Sequence, residues 1–454
     1  MHTHRSIFVA TGLMLFALFF GAGNLIFPAL MGQQAGDHIF AAMSGFLLTG
    51  AGLPLLGVIA VGYSGSRDVQ DLASRVTPWY GTLFAVMLYL AIGPLFAIPR
   101  TATVSFEIGV APFLGELDEY GKRLYLAAFC LFFFGASYWL SISPGKLVDR
   151  IGKVLTPALL LTIAILVITA AIKPMAPPQA PQAASGYDTH ALTQGIIAGY
   201  ETMDALASLV FAIIVISSVR SKGVSDKRQM LSLTMRAGCV AALCLSVVYV
   251  FIAYMGATSV GGIGLQQNGA AVLSKSAEHY FGNAGKILLA VIVFLACLST
   301  AVGLITSCSG YFNRLLPRCA YRTWAILFTL VSCGLANVGL NTIIKLSVPA
   351  LMLLYPLTIA LIALALLHNF FGGGRIVYIC TMLATGTVAL FDGWKAFSGV
   401  EHGLPMRLHA LFSDYLPLYA SGLGWVVPAL IGFGIGMTIK ILQRPRPAID
   451  STPS

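Results

Sequence analysis

The residues with the clearest potential for chemistry interrupt an apolar run. In FFGAGNLIFP, at positions 19–28, Gly21, Gly23 and Asn24 stand inside a stretch that is apolar over 7–30. Glycine costs about 1 kcal/mol relative to alanine inside a helix, and unpaired backbone groups cost several kcal/mol each in hydrocarbon. A ligand can pair with those groups, so this interruption predicts a binding site. The alternative is that the small residues merely let helices pack closely.

A second interruption begins the other half of the chain. In GYETMDALASL, at positions 199–209, Glu201 to Asp204 separate two apolar stretches. Paired interruptions at corresponding positions of two halves point to the binding site of a transporter. The N-terminus of a half-helix attracts a carboxylate, and freed carbonyl groups attract an ammonium or sodium ion. The pair therefore predicts a cradle for the zwitterionic head of an amino acid.

Polar groups in two further apolar segments could complete such a site. ACLSTAVGL, at positions 296–304, carries Ser299 and Thr300, whose oxygens suit a small cation, although such hydroxyls often bond to the carbonyl one turn back. Arg100 follows Pro94 and Pro99, which should both bend their helix, and a mid-span arginine costs about 2.5–3.5 kcal/mol on insertion scales. We expect Arg100 to pair or to reach the outer interface, and Asp204 to cap a helix or to relay protons.

Composition requires a membrane to position these residues. The 454-residue chain is 57% hydrophobic and 10% charged, against roughly 25% charged in soluble proteins. Its net charge of +10 needs no nucleic acid, because Lys and Arg collect in cytoplasmic loops of membrane proteins. The eight cysteines lack metal or disulfide spacing. Motifs of membrane-embedded hydrolases, HExxH and GxSxG, are absent from the sequence, so an enzyme is disfavoured.

Hydropathy predicts an all-α polytopic membrane protein with 12 transmembrane helices. Lys and Arg concentrate in alternate loops, which places both termini in the cytoplasm. The loop KPMAPPQAPQAASGYD, at 173–188, should be extended, poorly ordered and periplasmic. The predicted spans are 8–30, 38–61, 81–106, 123–141, 151–173, 193–219, 231–255, 284–308, 321–340, 342–367, 376–396 and 420–442.

The order of the spans predicts an inverted repeat. Five spans, a linker, five spans and two more give a 5+5 arrangement, because an odd number of spans per repeat inverts the second copy. The predicted divisions are a first repeat (1–173), a periplasmic Pro-rich linker (174–192), a second repeat (193–367), and two extra helices with a cytoplasmic tail (368–454).

The combined motifs resemble those of the branched-chain amino acid:cation symporters, the BrnQ or LIV-II family. They are FALFFGAGNLIFP, GPLFAIPRTATVSFE, SPGKL, YETMDALASLVF, ACLSTAVGL and SVPALMLLYP. The resemblance implies a LeuT-like fold and uptake of leucine, isoleucine and valine across a bacterial inner membrane, with Na⁺, or in some members H⁺, as coupling ion. The alternatives are a proton-coupled or exchange carrier for another apolar amino acid and, in another class, a channel or an enzyme.

The resemblance also implies roles for individual residues. Gly21, Ala22 and Gly23 would hold the substrate carboxylate. Asn24 belongs to the same predicted substrate site, and it corresponds to a position that binds a second sodium ion in some relatives. The ammonium group would lie at Thr202, Met203 and Asp204. One sodium ion would be bound by the set Ala17, Phe20, Ala296, Ser299 and Thr300. The expected partners are an amino acid substrate and the lipid bilayer, without nucleic acid or an obligate protein partner.

Overall fold

The computed structural model describes residues 2–115, 118–142, 160–182, 185–221, 224, 226–398, 412, 414–419 and 421–443. Regular structure in these ranges is helical throughout. In chain order the helices are α1 His2–Phe19, α2 Ala22–Ala35, α3 Ile39–Leu47, α4 Leu53–Ser64, α5 Val69–Ala73, α6 Pro78–Leu90, α7 Ala97–Gly109, α8 Glu119–Ser141, α9 Leu160–Ile172, α10 Tyr187–Tyr200, α11 Asp204–Ser221, α12 Lys227–Ile263, α13 Gly269–Leu315, α14 Tyr321–Ala336, α15 Leu340–Leu366, α16 Arg375–Ser398 and α17 Val426–Leu442.

These helices confirm a polytopic, all-α membrane protein. In the described ranges, seven helical stretches are long and apolar enough to cross a bilayer, or eight if the bent pair α10 and α11 forms one span. Four more apolar helices have 10–17 residues. Each of the twelve predicted ranges contains a helix, although 151–159 and the SPGKL motif lie outside the described residues. The count of twelve stays a prediction.

Among the described residues, three of the predicted spans have non-helical breaks, whereas in span two a π-helical turn at Leu48–Gly52 joins α3 to α4. Span one breaks at Phe20 and Gly21, between α1 and α2, and span six bends by 45° between α10 and α11. Span three breaks at Gly93, whose backbone is not helical, beside Pro94. The expected second bend at Pro99 is wrong, because Pro99 lies in the first turn of α7, where a missing N–H removes no helical bond.

Glycines let neighbouring helices hold the half-helices in place. A Cβ on Gly256 of α12 would collide with the Ala29 carbonyl of α2, and one on Gly195 of α10 would collide with the Ala42 carbonyl of α3. Close backbone approach of this kind is how small residues pack membrane helices. Consequently α2 rests against α12 and α10 rests against α3, so the helix ends at both breaks are firmly positioned.

The Pro-rich connection is better anchored than its composition predicts. Three backbone hydrogen bonds tie it to the ends of α2 and α12, which corrects the expectation of a poorly ordered loop. The next helix, α10, begins at Tyr187, six residues before the predicted boundary of 193. The three bonds run from Ala176 N–H to Thr258 C=O (3.1 Å), from Asp37 N–H to Gln179 C=O (2.9 Å) and from Gln182 N–H to Gln34 C=O (3.0 Å).

Candidate functional site

A small cavity of about 30 Å³ lies where the breaks in spans one and six face each other. All seven residues predicted to bind substrate line it, and so does one residue of the predicted ion set. These eight are Gly21, Ala22, Gly23, Asn24, Thr202, Met203, Asp204 and Thr300.

The break in span one releases backbone groups on both of its sides. The Gly21 N–H donates to Oδ1 of Asn24 at 3.1 Å, not to the Ala17 carbonyl one helical turn back. The carbonyl end of α1 is therefore available to a cation. On the other side, Ala22 and Gly23 begin α2, and the first N–H groups of a helix have no partner within it. These groups and the helix dipole favour an anion.

The break in span six has a different construction. Met203 adopts a positive φ of 64°, in the left-handed region that non-glycine residues rarely occupy. The Thr202 hydroxyl donates to the Gly199 carbonyl at 2.9 Å and accepts from the Asp204 N–H at 3.4 Å. Thr202 thus links α10 to the start of α11. The Asp204 carboxylate is left for contacts outside its own helix.

Asp204 connects the two breaks. Its Oδ2 accepts a hydrogen bond from the side-chain amide of Asn24, and another from the Tyr249 hydroxyl at 2.9 Å. The Asn24 amide also contacts the Tyr249 hydroxyl. Sequence reasoning missed Tyr249, which lies in the apolar run of span seven without any polar neighbour to distinguish it. Asn24 is therefore engaged within the protein, at the position that the resemblance associates with a second sodium ion.

Arg100 is a buried cation in the wall of the cavity, only 4% exposed. It does not reach the outer interface. Its Nη1 donates to the Glu201 carbonyl at 2.7 Å and its Nη2 to the Thr202 carbonyl at 3.4 Å, and the guanidinium lies 5.0 Å from the centre of the Phe27 ring. Arg100 thus occupies carbonyl groups at the end of α10 that the sequence had suggested for a substrate ammonium.

Span eight faces the first break through Thr300. A Cβ on Gly21 would lie 3.0 Å from Thr300 Oγ1, so the missing side chain of Gly21 leaves room for this hydroxyl. Thr300 Oγ1 is buried and has no hydrogen-bond partner among the described residues. The Ser299 hydroxyl donates to the Ala296 carbonyl at 2.8 Å, as a membrane-helix hydroxyl commonly does. Phe20 is buried beside Gly21.

The described ranges hold no group of three or more His, Cys, Asp or Glu side chains suited to a metal ion. The oxygens of the predicted ion set are hydroxyl and carbonyl oxygens. Such neutral, hard ligands suit an alkali cation better than a transition metal.

Apolar side chains from four spans form the rest of the cavity wall. They come from spans one, three, six and eight, and Phe19 and Phe211 pack with ring centres 5.9 Å apart. The apolar lining residues are Leu18, Phe19, Ile92, Ala97, Met203, Ala207, Phe211 and Leu304.

Comparison with known proteins identifies close relatives of the whole chain. The family model described as branched-chain amino acid transport protein matches residues 4–443. The branched-chain amino acid permease BraB of Bacillus subtilis is 45% identical over 437 residues, covering 96% of each chain. The branched-chain amino acid transport system 2 carrier protein of Pseudomonas aeruginosa is 42% identical over 448 residues, covering 97% of this chain and 98% of the relative.

Solved structures share the fold at low sequence identity. MhsT in complex with L-phenylalanine superposes with a TM-score of 0.56 at 16% identity, covering 95% of this chain and 97% of MhsT. The nucleobase-cation-symport-1 family transporter MHP1 superposes with a TM-score of 0.58 at 13% identity, covering 96% of this chain and 92% of MHP1. These neighbours are LeuT-fold transporters.

Proposed function

Since this chain belongs to the branched-chain amino acid transport protein family and is a transporter, not an enzyme, we propose that it imports leucine, isoleucine and valine by symport with Na⁺. The proposed mechanism is alternating access, in which one helix bundle rocks against the other around the central cavity. The observation that carries this proposal is the meeting of two helix breaks at one cavity. There, the N-terminus of α2 and the Asp204 carboxylate offer opposite charges.

That pair of charges fits the head of an amino acid. The carboxylate would accept hydrogen bonds from the N–H groups of Ala22 and Gly23, reinforced by the positive end of the α2 dipole. The ammonium would lie beside Asp204, at the break formed with Thr202 and Met203. Because Arg100 already holds the Thr202 carbonyl, Asp204 is the principal acceptor in this proposal.

The coupling ion would bind between spans one and eight. The proposed ligands are carbonyl oxygens of Ala17, Phe20 and Ala296 and the hydroxyl oxygens of Ser299 and Thr300. The unpaired Thr300 Oγ1 supports this assignment, because a buried hydroxyl without a partner is costly and a cation would satisfy its lone pairs. Inward movement of one positive charge would contribute about 2.3 kcal/mol per 100 mV of membrane potential.

The apolar wall would select aliphatic side chains without separating them well. A missing or extra methylene in such a pocket changes transition-state binding by about 1–3 kcal/mol. Leucine, isoleucine and valine should therefore compete for the same cavity, with affinities that differ by less than about 200-fold.

The arrangement in the membrane completes the proposal. We place the chain in a bacterial inner membrane as twelve spans, with both termini in the cytoplasm and the 5+5 repeats spanning 1–173 and 193–367. The alternation of Lys and Arg between loops supports this orientation. The chain would act without an obligate protein partner.

Uptake of radiolabelled leucine into proteoliposomes tests the proposal. An inward Na⁺ gradient should accelerate uptake in the wild type, and Thr300→Ala should reduce this stimulation at least tenfold by removing one cation ligand. Thr306→Ala is the matched control, since Thr306 is another threonine of α13 but does not line the cavity. Equal uptake with and without Na⁺ would refute sodium coupling. Acceleration by a pH gradient alone would instead establish the proton-coupled alternative.

A further inference from the structure

The Arg100 guanidinium has donors that the protein leaves unused. A guanidinium carries five N–H groups, and Arg100 uses one on Nη1 and one on Nη2 for the Glu201 and Thr202 carbonyls. Its Nε is buried and lacks a hydrogen-bond partner among the described residues. Nε and the second N–H of Nη2 point along one edge of the planar group. That edge has the geometry that binds a carboxylate through two parallel hydrogen bonds.

The charge of Arg100 is also not neutralised by direct contact. Within the described part of the chain, no carboxylate forms an ion pair with it at 4.0 Å or closer. Asp204 lines the same cavity, but its Oδ2 is bound to Asn24 and Tyr249. Buried charges are ordinarily paired. The acidic side chains whose charges act on Arg100 are those of Glu201 and Asp204. Neither forms a direct ion pair with the guanidinium, so its remaining donors are available to a ligand anion.

Gly23 leaves room for the guanidinium of Arg100. A Cβ on Gly23 would lie 2.8 Å from Nη2 of Arg100 and 3.3 Å from Cζ, so even alanine would force the guanidinium to move. Gly23 also contributes one of the unpaired N–H groups at the start of α2. The guanidinium of Arg100 thus lies against the N-terminus of α2, and both line the cavity.

We propose that Arg100 determines specificity by binding the carboxylate of the substrate through its Nε and Nη2 edge, together with the N–H groups of Ala22 and Gly23. The inference rests on the proposed function and deepens it by assigning a specificity-determining side chain to the carboxylate end of the substrate. Arg100 and Asp204 then form two opposite fixed charges, one for each end of the zwitterion. A ligand without its carboxylate would leave Arg100 unpaired and would be rejected.

Ligand binding to the purified full-length chain tests this inference, with thermal stabilisation by each ligand in saturating Na⁺ as the readout. Leucine is compared with 3-methylbutylamine, which has the same side chain and amine but no carboxylate. The wild type should bind leucine at least 100-fold more tightly than the amine, because two charge-assisted hydrogen bonds are lost. Arg100→Gln should weaken leucine binding at least 100-fold and change amine binding less than threefold. A merely structural role of Arg100 would weaken both ligands alike.

Two further variants keep the test decisive. Gly23→Ala retains the charge of Arg100 but crowds its guanidinium, and it should also weaken leucine binding selectively. It replaces Arg100→Gln in the test if that variant does not fold. Arg314→Gln is the control, since Arg314 is largely exposed and pairs with Asp68 away from the cavity. It should leave both affinities unchanged.

The outcomes separate this inference from the proposed function. If wild-type protein binds no branched-chain amino acid, the proposed function fails. If it binds leucine and 3-methylbutylamine equally, or if Arg100→Gln, or Gly23→Ala in its place, retains the wild-type preference for leucine, the role of Arg100 is overturned while branched-chain amino acid transport stands.

Discussion

The breaks in spans one and six face the same cavity but are built differently. At the first break, Gly21 has an extended backbone (φ −124°) that any residue can adopt. Glycine is needed at this position for space, because Thr300 occupies the volume that a side chain would fill. Arg100 occupies the corresponding volume at Gly23. At the second break, 201–203 contains no glycine, and Met203 takes a left-handed backbone despite its side chain. The first break requires glycines that have no side chain, whereas the second is held by contacts that side chains make.

This difference determines where a ligand can bind. The carbonyl end of α10 is satisfied by Arg100 and Thr202, so the second break is largely closed by the protein itself. The N–H end of α2 and the Thr300 hydroxyl remain unpaired. The first break therefore has the free groups that can bind a ligand. The second break supplies the Asp204 carboxylate and rigid support. Variants that alter each break should fail in different ways.

Asp204→Asn should have the largest effect on leucine transport. It removes the negative charge proposed to hold the ammonium and weakens the link to Asn24 and Tyr249. Hydrogen bonds to charged groups contribute about 1.5–3 kcal/mol each, so we expect leucine uptake into proteoliposomes at subsaturating substrate to fall about 100-fold. Glu107→Gln is the control, since Glu107 is an acid of α7 outside the cavity lining. Uptake within threefold of the wild type in Asp204→Asn would mean that the second break contributes no charge to the site.

Gly21→Ala should affect the ion more than the substrate. The new Cβ would lie 3.0 Å from Oγ1 and 3.1 Å from Cγ2 of Thr300, so the hydroxyl has to move by a few tenths of an ångström. We expect the Na⁺ concentration for half-maximal uptake to rise about tenfold, with leucine affinity in saturating Na⁺ within threefold of the wild type. A misplacement well below 1 Å is enough for an effect of this size.

The control for Gly21→Ala lies across the same interface. In Gly303→Ala the added Cβ would meet Leu18 Cδ2 at 3.8 Å, an ordinary contact. Both the sodium dependence and the leucine affinity should stay at wild-type values. If Gly21→Ala instead reduces leucine affinity and leaves sodium dependence intact, the separation of ion and substrate sides of the first break is wrong.

Much of this organisation could be predicted because it is local. Hydropathy located the helices, and Gly21, Gly23 and Asn24 marked the first break since no stable membrane helix needs them in its centre. The polar residues Glu201 to Asp204, shortly after Gly199, marked the second break in the same way. The positions that line the cavity follow from those two interruptions, because unwound backbone in hydrocarbon needs partners.

The long-range contacts could not be predicted, since they depend on how spans cross. Nothing in the sequence around Arg100 specifies that it reaches carbonyls 101 and 102 residues away. Tyr249 is similarly inconspicuous until span seven is placed beside Asp204. The prediction of a poorly ordered Pro-rich connection was wrong for a related reason. Its composition favours an extended chain, but its backbone partners lie on other segments of the protein.

Met203→Gly should have the smallest effect, and it tests directly whether added contacts hold the second break. Glycine would relieve the left-handed backbone, which costs other residues roughly 1–2 kcal/mol. It would also lose the buried side chain, only 2% exposed, worth about 1.5–3 kcal/mol. These terms oppose each other, so the unfolding temperature of the purified protein should fall only slightly. Met255→Gly in α12 loses an equally buried methionine and adds the cost of glycine inside a helix, about 1 kcal/mol, so its unfolding temperature should fall at least twice as far. An equal fall in both variants would show that the left-handed backbone at Met203 stores no strain, and the contrast between the two breaks would then rest on Arg100 and Thr202 alone.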